Sequence, residues 1–373
     1  MSQIYCDSLV LVLSCFVQHG FLPSRHGVWC RDRRDETLYL DNIRVNVNNE
    51  LLLISQIFSF LLSISWVWGL VFGPPGLPPN ARQETIATYQ KECLGIQWRE
   101  EKIKSTDGTS ISLCVAEANA GTKEKTPRKM IYILYFQGNA SSLPPRLPFL
   151  SSVPRKLQKS GGKLDDPVQY VFVCCSYRGY WTSSGRPSER GIIRDAVATL
   201  HWVKEDLQSR ANPDGCDVIL WGQSIGAGVA TSLAAKEDIF SRQLRLQLLI
   251  LETPFLGIKA MLETLYPQKW LPYRHLWPFL RNHLDSWKAL GDLHDRIRRT
   301  GMQEPRVFIL QAGKDELVPT SHGDMLQKRC AELGLDVKRK IVESALHNEV
   351  LVRGGGSAAI AEAIEQVARE DSR

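Results

Sequence analysis

The stretch that most constrains this chain is a short apolar strand pattern, Val218-Ile-Leu-Trp221. It runs straight into Gly222-Gln223-Ser224-Ile225-Gly226 and then into the helical pattern Ala227–Ala235. A serine at a sharp turn between a strand and a helix sits in a strained backbone conformation that pushes its hydroxyl out at the carboxyl end of a sheet. Small residues are needed on either side, because a Cβ there would collide with the neighbouring strand and helix. The helix N-terminus below the serine also favours developing negative charge. The bare G-x-S-x-G pattern is weak, since a Gly-rich βα turn without chemistry has it too. The flanking strand and helix make Ser224 the expected nucleophile.

A serine hydroxyl is a poor nucleophile at neutral pH, so it needs a general base that is itself oriented by an acid. Arg306–Gln311 reads as a strand ending in Ala312-Gly-Lys-Asp315-Glu-Leu-Val-Pro319, which puts Asp315 in the loop after it. Val337–Val342 is followed by Glu343-Ser-Ala-Leu-His347, which puts His347 in the loop after the last strand. The order Ser, Asp, His, each on the carboxyl-end loop of a strand, lets the three side chains converge on one rim of a parallel sheet. His322 reads as a partly exposed helical histidine. Glu316 and Asp324 lie close to Asp315 but are expected to point elsewhere. His201, His275, His283 and His294 lack metal-ligand spacing, and no metal site is expected.

Acyl transfer also needs donors for an oxyanion. Met130–Phe136 ends in Gln137-Gly138-Asn139-Ala140, a tight turn after an early strand. The backbone N–H groups of Asn139 and Ile225 are the expected pair, with Gly138 lining the substrate side of the turn. No phosphate-binding loop has the required spacing, so nucleotide chemistry is not supported.

Leu51–Phe72 is an uncharged run of 22 residues. As a helix it would extend about 33 Å, enough for the hydrocarbon core of a bilayer. Glu50 precedes it, Gly73-Pro74-Pro75 follows, and Trp66 and Trp68 lie near one end, where indole rings favour the headgroup interface. A single-pass membrane anchor is expected over 51–72. The Arg residues ahead of the run lean its N-terminal side toward the cytosol. The tail 1–50 has no sustained periodicity and no assigned fold. Its apolar stretch Leu9–Val17 follows Asp7 and precedes no small-residue cleavage site, which disfavours a signal peptide.

From about residue 80 the pattern changes to short β-rich apolar runs alternating with helical periodicity, which marks an α/β domain with a mostly parallel sheet over 80–373. Ile96–Lys104 and Ser110–Glu117 read as an opening hairpin about Thr106-Asp107-Gly108. Buried strands follow at Met130–Phe136, Tyr170–Cys175, Asp217–Trp221, Leu246–Leu251, Arg306–Gln311 and Val337–Val342. The segment between Leu251 and Arg306 is too long for a simple crossover and reads as a helical cap insertion, about 255–300. Its aromatic residues include Trp270 and Trp277, the candidate lining of an acyl-chain slot. The net charge of +6 is not gathered into a basic block, and nucleic acid is not an implied partner. Nine Cys without regular spacing suggest neither a disulfide framework nor a zinc site.

These residues resemble the α/β-hydrolase superfamily over most of 90–350. Ser176-Tyr-Arg-Gly-Tyr180, Pro187-Ser-Glu189, Trp221–Gly226, Leu251-Glu-Thr-Pro-Phe255, Gly313–Pro319 and Leu346-His-Asn348 are similar to its membrane-anchored bud-emergence-type branch. The resemblance implies Ser224 as nucleophile, Asp315 as acid, His347 as base and Gly138-Asn139 as oxyanion turn. Many relatives carry His-Gly at that turn, where this chain has Gln137-Gly138. The implied activity is hydrolysis of acyl esters or thioesters, on lipid or acyl-protein substrates, through an acyl-enzyme and without a cofactor. The implied location is the endoplasmic reticulum or plasma membrane, with membrane lipid as partner. A serine peptidase of the same fold and a catalytically silent membrane scaffold are the alternatives.

Overall fold

The structure, a computed structural model, describes residues 80–120, 129–139, 142–160, 167–210, 215–265 and 282–370. The tail 1–50, the apolar run Leu51–Phe72, Trp270 and Trp277 lie outside the described residues. Among the described residues no helix is long and apolar enough to cross a membrane.

Eight strands form one sheet: β1 (Trp98–Lys104), β2 (Ser110–Ala120), β3 (Lys129–Phe136), β4 (Val168–Ser176), β5 (Cys216–Gln223), β6 (Leu244–Glu252), β7 (Arg306–Ala312) and β8 (Val337–Val342). Their order is β1-β2-β4-β3-β5-β6-β7-β8. β1 and β2 form the expected antiparallel hairpin, and β2 also pairs antiparallel with β4. Every pairing from β4–β3 through to β7–β8 is parallel. The tight turn of the hairpin uses Gly108 at φ 82°, a left-handed conformation open to glycine, and its N–H closes on Ser105 O at 2.8 Å.

β3 and β5 show why the interior of the sheet is apolar on both faces. All eight residues of β5 and seven of the eight in β3 are buried, as a strand covered by helices on both sides requires. One face packs against α1 (Ser152–Ser160) and α7 (Gly356–Glu370), through Val153, Leu157, Ile360 and Ile364. The other packs against α2 (Glu189–Ser209), α3 (Ile225–Ala234), α5 (Ser286–Thr300) and α6 (Thr320–Glu332). α4 (Ile258–Leu265) follows β6. Within the stretch expected as a cap, α5 presents Leu290, Leu293 and Ile297 to the same cluster as Val229 and Leu233 of α3. Each fully buried Leu of this kind contributes about 1.5–3 kcal/mol relative to exposure.

α2 begins where Ser188 accepts from Gly191 N at 3.2 Å, capping a helix whose Ile192, Ala196, Leu200 and Val203 face the sheet. The same helix carries Asp195, fully buried and bonded by Arg178 Nη2 at 2.8 Å, while Arg178 Nη1 reaches Asp107 at 2.8 Å. The Arg178 guanidinium holds the Asp107 carboxyl well below the usual carboxylate range. This bridge ties the segment after β4 to the hairpin turn and to α2.

Candidate active site

β5 delivers Ser224 at the centre of the sheet's carboxyl edge. The serine has φ 54° and ψ −116°, and α3 starts at the next residue. A non-glycine residue with positive φ is strained, and the surroundings hold it there. Ser224 N donates to Glu252 O at 2.9 Å, and Ser224 O accepts from Ala227 N at 2.9 Å. The two flanking glycines are required by space. A Cβ on Gly222 would stand 2.0 Å from Gly226 O, and one on Gly226 would stand 2.0 Å from Phe136 O. Thus α3 lies against both β5 and the end of β3 at distances that exclude a methyl group, as the pattern around the serine predicts.

Asp315 sits in the loop after β7, which is anchored by Gly313 N to Val342 O at 2.9 Å and by Lys314 N to Ala345 O at 3.0 Å. Its Oδ1 accepts from Leu317 N at 2.9 Å and Val318 N at 2.8 Å, so the carboxylate is fixed by its own loop. Both oxygens meet His347 Nδ1, Oδ1 at 2.9 Å and Oδ2 at 2.8 Å. The two side chains are each 4% exposed. Asp315 and His347 are therefore brought together, 32 residues apart in sequence, from the loops after adjacent strands.

The turn after β3 lies beside the serine. Gly138 is placed so that a Cβ would be 3.2 Å from Gln223 Oε1, the side chain that precedes Ser224. Gln137 O accepts from Tyr177 O–H at 2.9 Å, and Asn139 Oδ1 accepts from Tyr180 O–H at 2.9 Å. The segment Ser176–Tyr180 thus braces the turn from the end of β4, and the Tyr177 and Tyr180 rings meet edge to face at 5.7 Å. Ile225 is the first residue of α3, where main-chain N–H groups lack partners within the helix.

Three side chains differ from the sequence reading or were missed by it. His322 is buried, not partly exposed: it sits in the first turn of α6 and turns inward, where Leu256 N donates to its Nδ1 at 3.4 Å and Thr264 Oγ1 meets Nε2 at 3.4 Å. Burial lowers its pKa. Glu316 does not point away from the site, because its Oε2 accepts from His347 N at 3.0 Å. Glu252 is buried at the end of β6, and burial raises its carboxyl to about 7, although Trp221, Arg146 and His347 each pull it down. The available signal for Glu252 was a carboxylate closing an otherwise apolar run. Asp324 pairs with Arg339, away from Asp315. His201 and His283 are exposed. Among the described residues no three His, Cys, Asp or Glu gather as a metal site.

The chain is similar to bem46 of Schizosaccharomyces pombe, 27% identical over 246 residues that cover 66% of this chain and 69% of that protein. It is 29% identical over 230 residues to the alpha/beta hydrolase domain-containing protein WAV2 of Arabidopsis thaliana, covering 60% of this chain and 65% of that one. Over 164 residues it is 41% identical to lysophosphatidylserine lipase ABHD12 of Bos taurus, covering 44% of this chain and 39% of that protein. The match therefore spans less than two thirds of WAV2 and about two-fifths of ABHD12. No protein-family model matches. A crystal structure of an alpha-beta hydrolase from Vibrio vulnificus superposes with a TM-score of 0.54 at 15% identity, covering 81% of this chain and 91% of that one. At that identity the likeness speaks for the fold.

Proposed function

This chain has the α/β-hydrolase fold and is homologous to bem46 and its relatives, and on that premise we propose that it is a membrane-anchored serine hydrolase of acyl esters or thioesters. The observation that carries the reading is the pair of both Asp315 oxygens with His347 Nδ1, on the same sheet edge as a serine held at φ 54°. With Nδ1 engaged by the carboxylate, Nε2 is the ring nitrogen that takes the Ser224 proton as Oγ attacks the acyl carbon. The tetrahedral oxyanion is met by the N–H groups of Asn139 and Ile225. His347 then returns the proton to the leaving alcohol or thiol, the acyl-serine forms, and a water activated by the same imidazole hydrolyses it.

The substrate class is a lipid or an acylated protein. The relative named as a lysophosphatidylserine lipase favours the lipid. Leu51–Phe72 is the anchor, holding the domain 80–373 at the endoplasmic reticulum or plasma membrane. Of the expected cap, residues 286–300 form α5 and pack on the sheet face; in this reading Trp270 and Trp277, with Gly138, line the acyl slot. Each buried methylene there would add about 0.8 kcal/mol of binding. Steady-state kinetics on p-nitrophenyl esters tests this reading. kcat/KM should rise with acyl length, and Trp270→Ala or Trp277→Ala should flatten the rise while sparing acetate hydrolysis. Absence of hydrolysis of every acyl ester and thioester would overturn it.

A further inference from the structure

Beneath the serine, on the face of the sheet covered by α1 and α7, lies a buried polar cluster that the proposed chemistry does not use. Trp221 Nε1 donates to Glu252 Oε2 at 2.8 Å, and the Trp221 ring packs edge to face on Tyr135 with centroids 4.9 Å apart. Tyr135 O–H donates to Gln223 Oε1 at 3.2 Å, and Arg146 Nη1 donates to the same oxygen at 2.5 Å. Gln223 Nε2 reaches Asn348 Oδ1 at 3.5 Å, next in sequence to His347. Glu252 stands beside Gln223 in the β5–β6 register, and its main-chain O takes the N–H of Ser224.

A carboxyl in such a place is costly to ionise unless positive charge stands near it. Against the larger effect of burial, two groups from different elements lower the Glu252 carboxyl electrostatically: Arg146, from the segment after β3 and itself bonded to Gln223 Oε1, and His347, from the loop after β8. Tyr135 at the end of β3 also feels it, and the Tyr135 hydroxyl is pushed above its ordinary range mainly by burial. On its other side β7 offers Leu310, which carries no charge.

We propose that Glu252 is a positioning residue of this site, a buried carboxylate that favours the protonated imidazole of His347 formed during turnover and whose main chain fixes the Ser224 elbow. Asp315 orients the ring through Nδ1, while Glu252 adds a second negative charge that touches neither substrate nor reacting atom. Since interaction between two titrating groups is mutual, the charge state of His347 acts equally on Glu252. The inference rests on the roles proposed for Ser224 and His347.

The test uses the full chain in detergent with indole-labelled tryptophan, the Trp221 resonance being assigned by its loss in Trp221→Phe. In the wild type this signal should titrate with a midpoint of about 7, since the indole N–H is bonded to Glu252. Glu252→Gln keeps an acceptor for the indole and should abolish the titration. His347→Gln should move the midpoint to higher pH, because the electrostatic effect of His347 that lowers the Glu252 carboxyl is gone. In turnover, Glu252→Gln should lower kcat about tenfold with little change in KM. A Trp221 signal that is flat between about pH 5 and 9, or a midpoint unmoved by His347→Gln, would overturn the proposal. So would wild-type kcat in Glu252→Gln. Failure of the hydrolase reading shows separately, as full turnover in Ser224→Ala.

Discussion

Both carboxylate oxygens of Asp315 converge on one ring nitrogen of His347, Nδ1, at 2.9 and 2.8 Å. Asp315 is itself pinned by two main-chain N–H groups, so the ring is aimed by a carboxylate with little freedom to follow it. An amide at position 315 would set an NH₂ or a neutral oxygen against Nδ1 and release the choice of tautomer. Asp315→Asn is therefore expected to lose roughly 10³–10⁴ in kcat, with circular dichroism unchanged. A loss below about tenfold would detach Asp315 from the reaction.

The packing of the elbow gives a second expectation. Gly226→Ala puts a methyl 2.0 Å from Phe136 O, main chain against main chain, so α3 must move off β3. A destabilisation above about 4 kcal/mol follows, or failure to fold. Gly334 is the contrast: φ is 78° but a Cβ there meets nothing within 4 Å. Gly334→Ala should cost about 1 kcal/mol, from backbone strain alone. Thermal denaturation of the two variants checks the difference, and equal losses would contradict it.

Glu252 makes stability depend on pH with a definite sign. Its folded pKa is raised to about 7, so the folded state holds the proton longer than the unfolded chain does. Stability contributed by the protonated form is full below the unfolded value of 4.5 and is lost as pH rises through about 7. Glu252→Gln lacks this loss. Its melting temperature relative to the wild type should rise across that window and level off above it. A difference independent of pH would show that Glu252 ionises at its ordinary value.

The anchor reading is tested by fractionation. The full chain should stay in the membrane pellet after alkaline carbonate washing, and a chain beginning at Asn80 should be released, because the uncharged run Leu51–Phe72 is then gone. Release of the full chain would make that run something other than a span.

How far the sequence could be read follows from the range of the interactions involved. The central strand runs stood out because buried parallel strands are continuously apolar, as β3 and β5 are. β8 is observed over the expected residues Val337–Val342 but not as the buried strand expected: it is the edge strand of the sheet, carries Lys338, Arg339 and Lys340, and buries only Val342. The placement of Ser224, Asp315 and His347 in the segments after β5, β7 and β8 was legible because each lies within a few residues of a strand's end. The insertion of β3 between β4 and β5 has no local signature, since pairing depends on chain crossovers and not on the composition of one strand. His322 was misjudged for the same reason: what buries it, Leu256 and Thr264, lies 66 and 58 residues away. The Trp221–Glu252–Gln223–Arg146 cluster joins three elements, β5, β6 and the segment after β3, and in sequence its members are isolated residues with no shared signature.

The central claim is that Ser224 is the nucleophile, and the most direct measurement is hydrolysis of a short activated ester by purified wild-type and Ser224→Ala chains, alongside fluorophosphonate labelling. The serine is half-buried at a turn and makes its described bonds through the main chain, so the substitution should leave the fold and melting temperature in place. Turnover should fall on the order of 10⁶ and the label should disappear. Turnover near the wild-type rate in a folded Ser224→Ala chain, or undiminished labelling, would contradict the account.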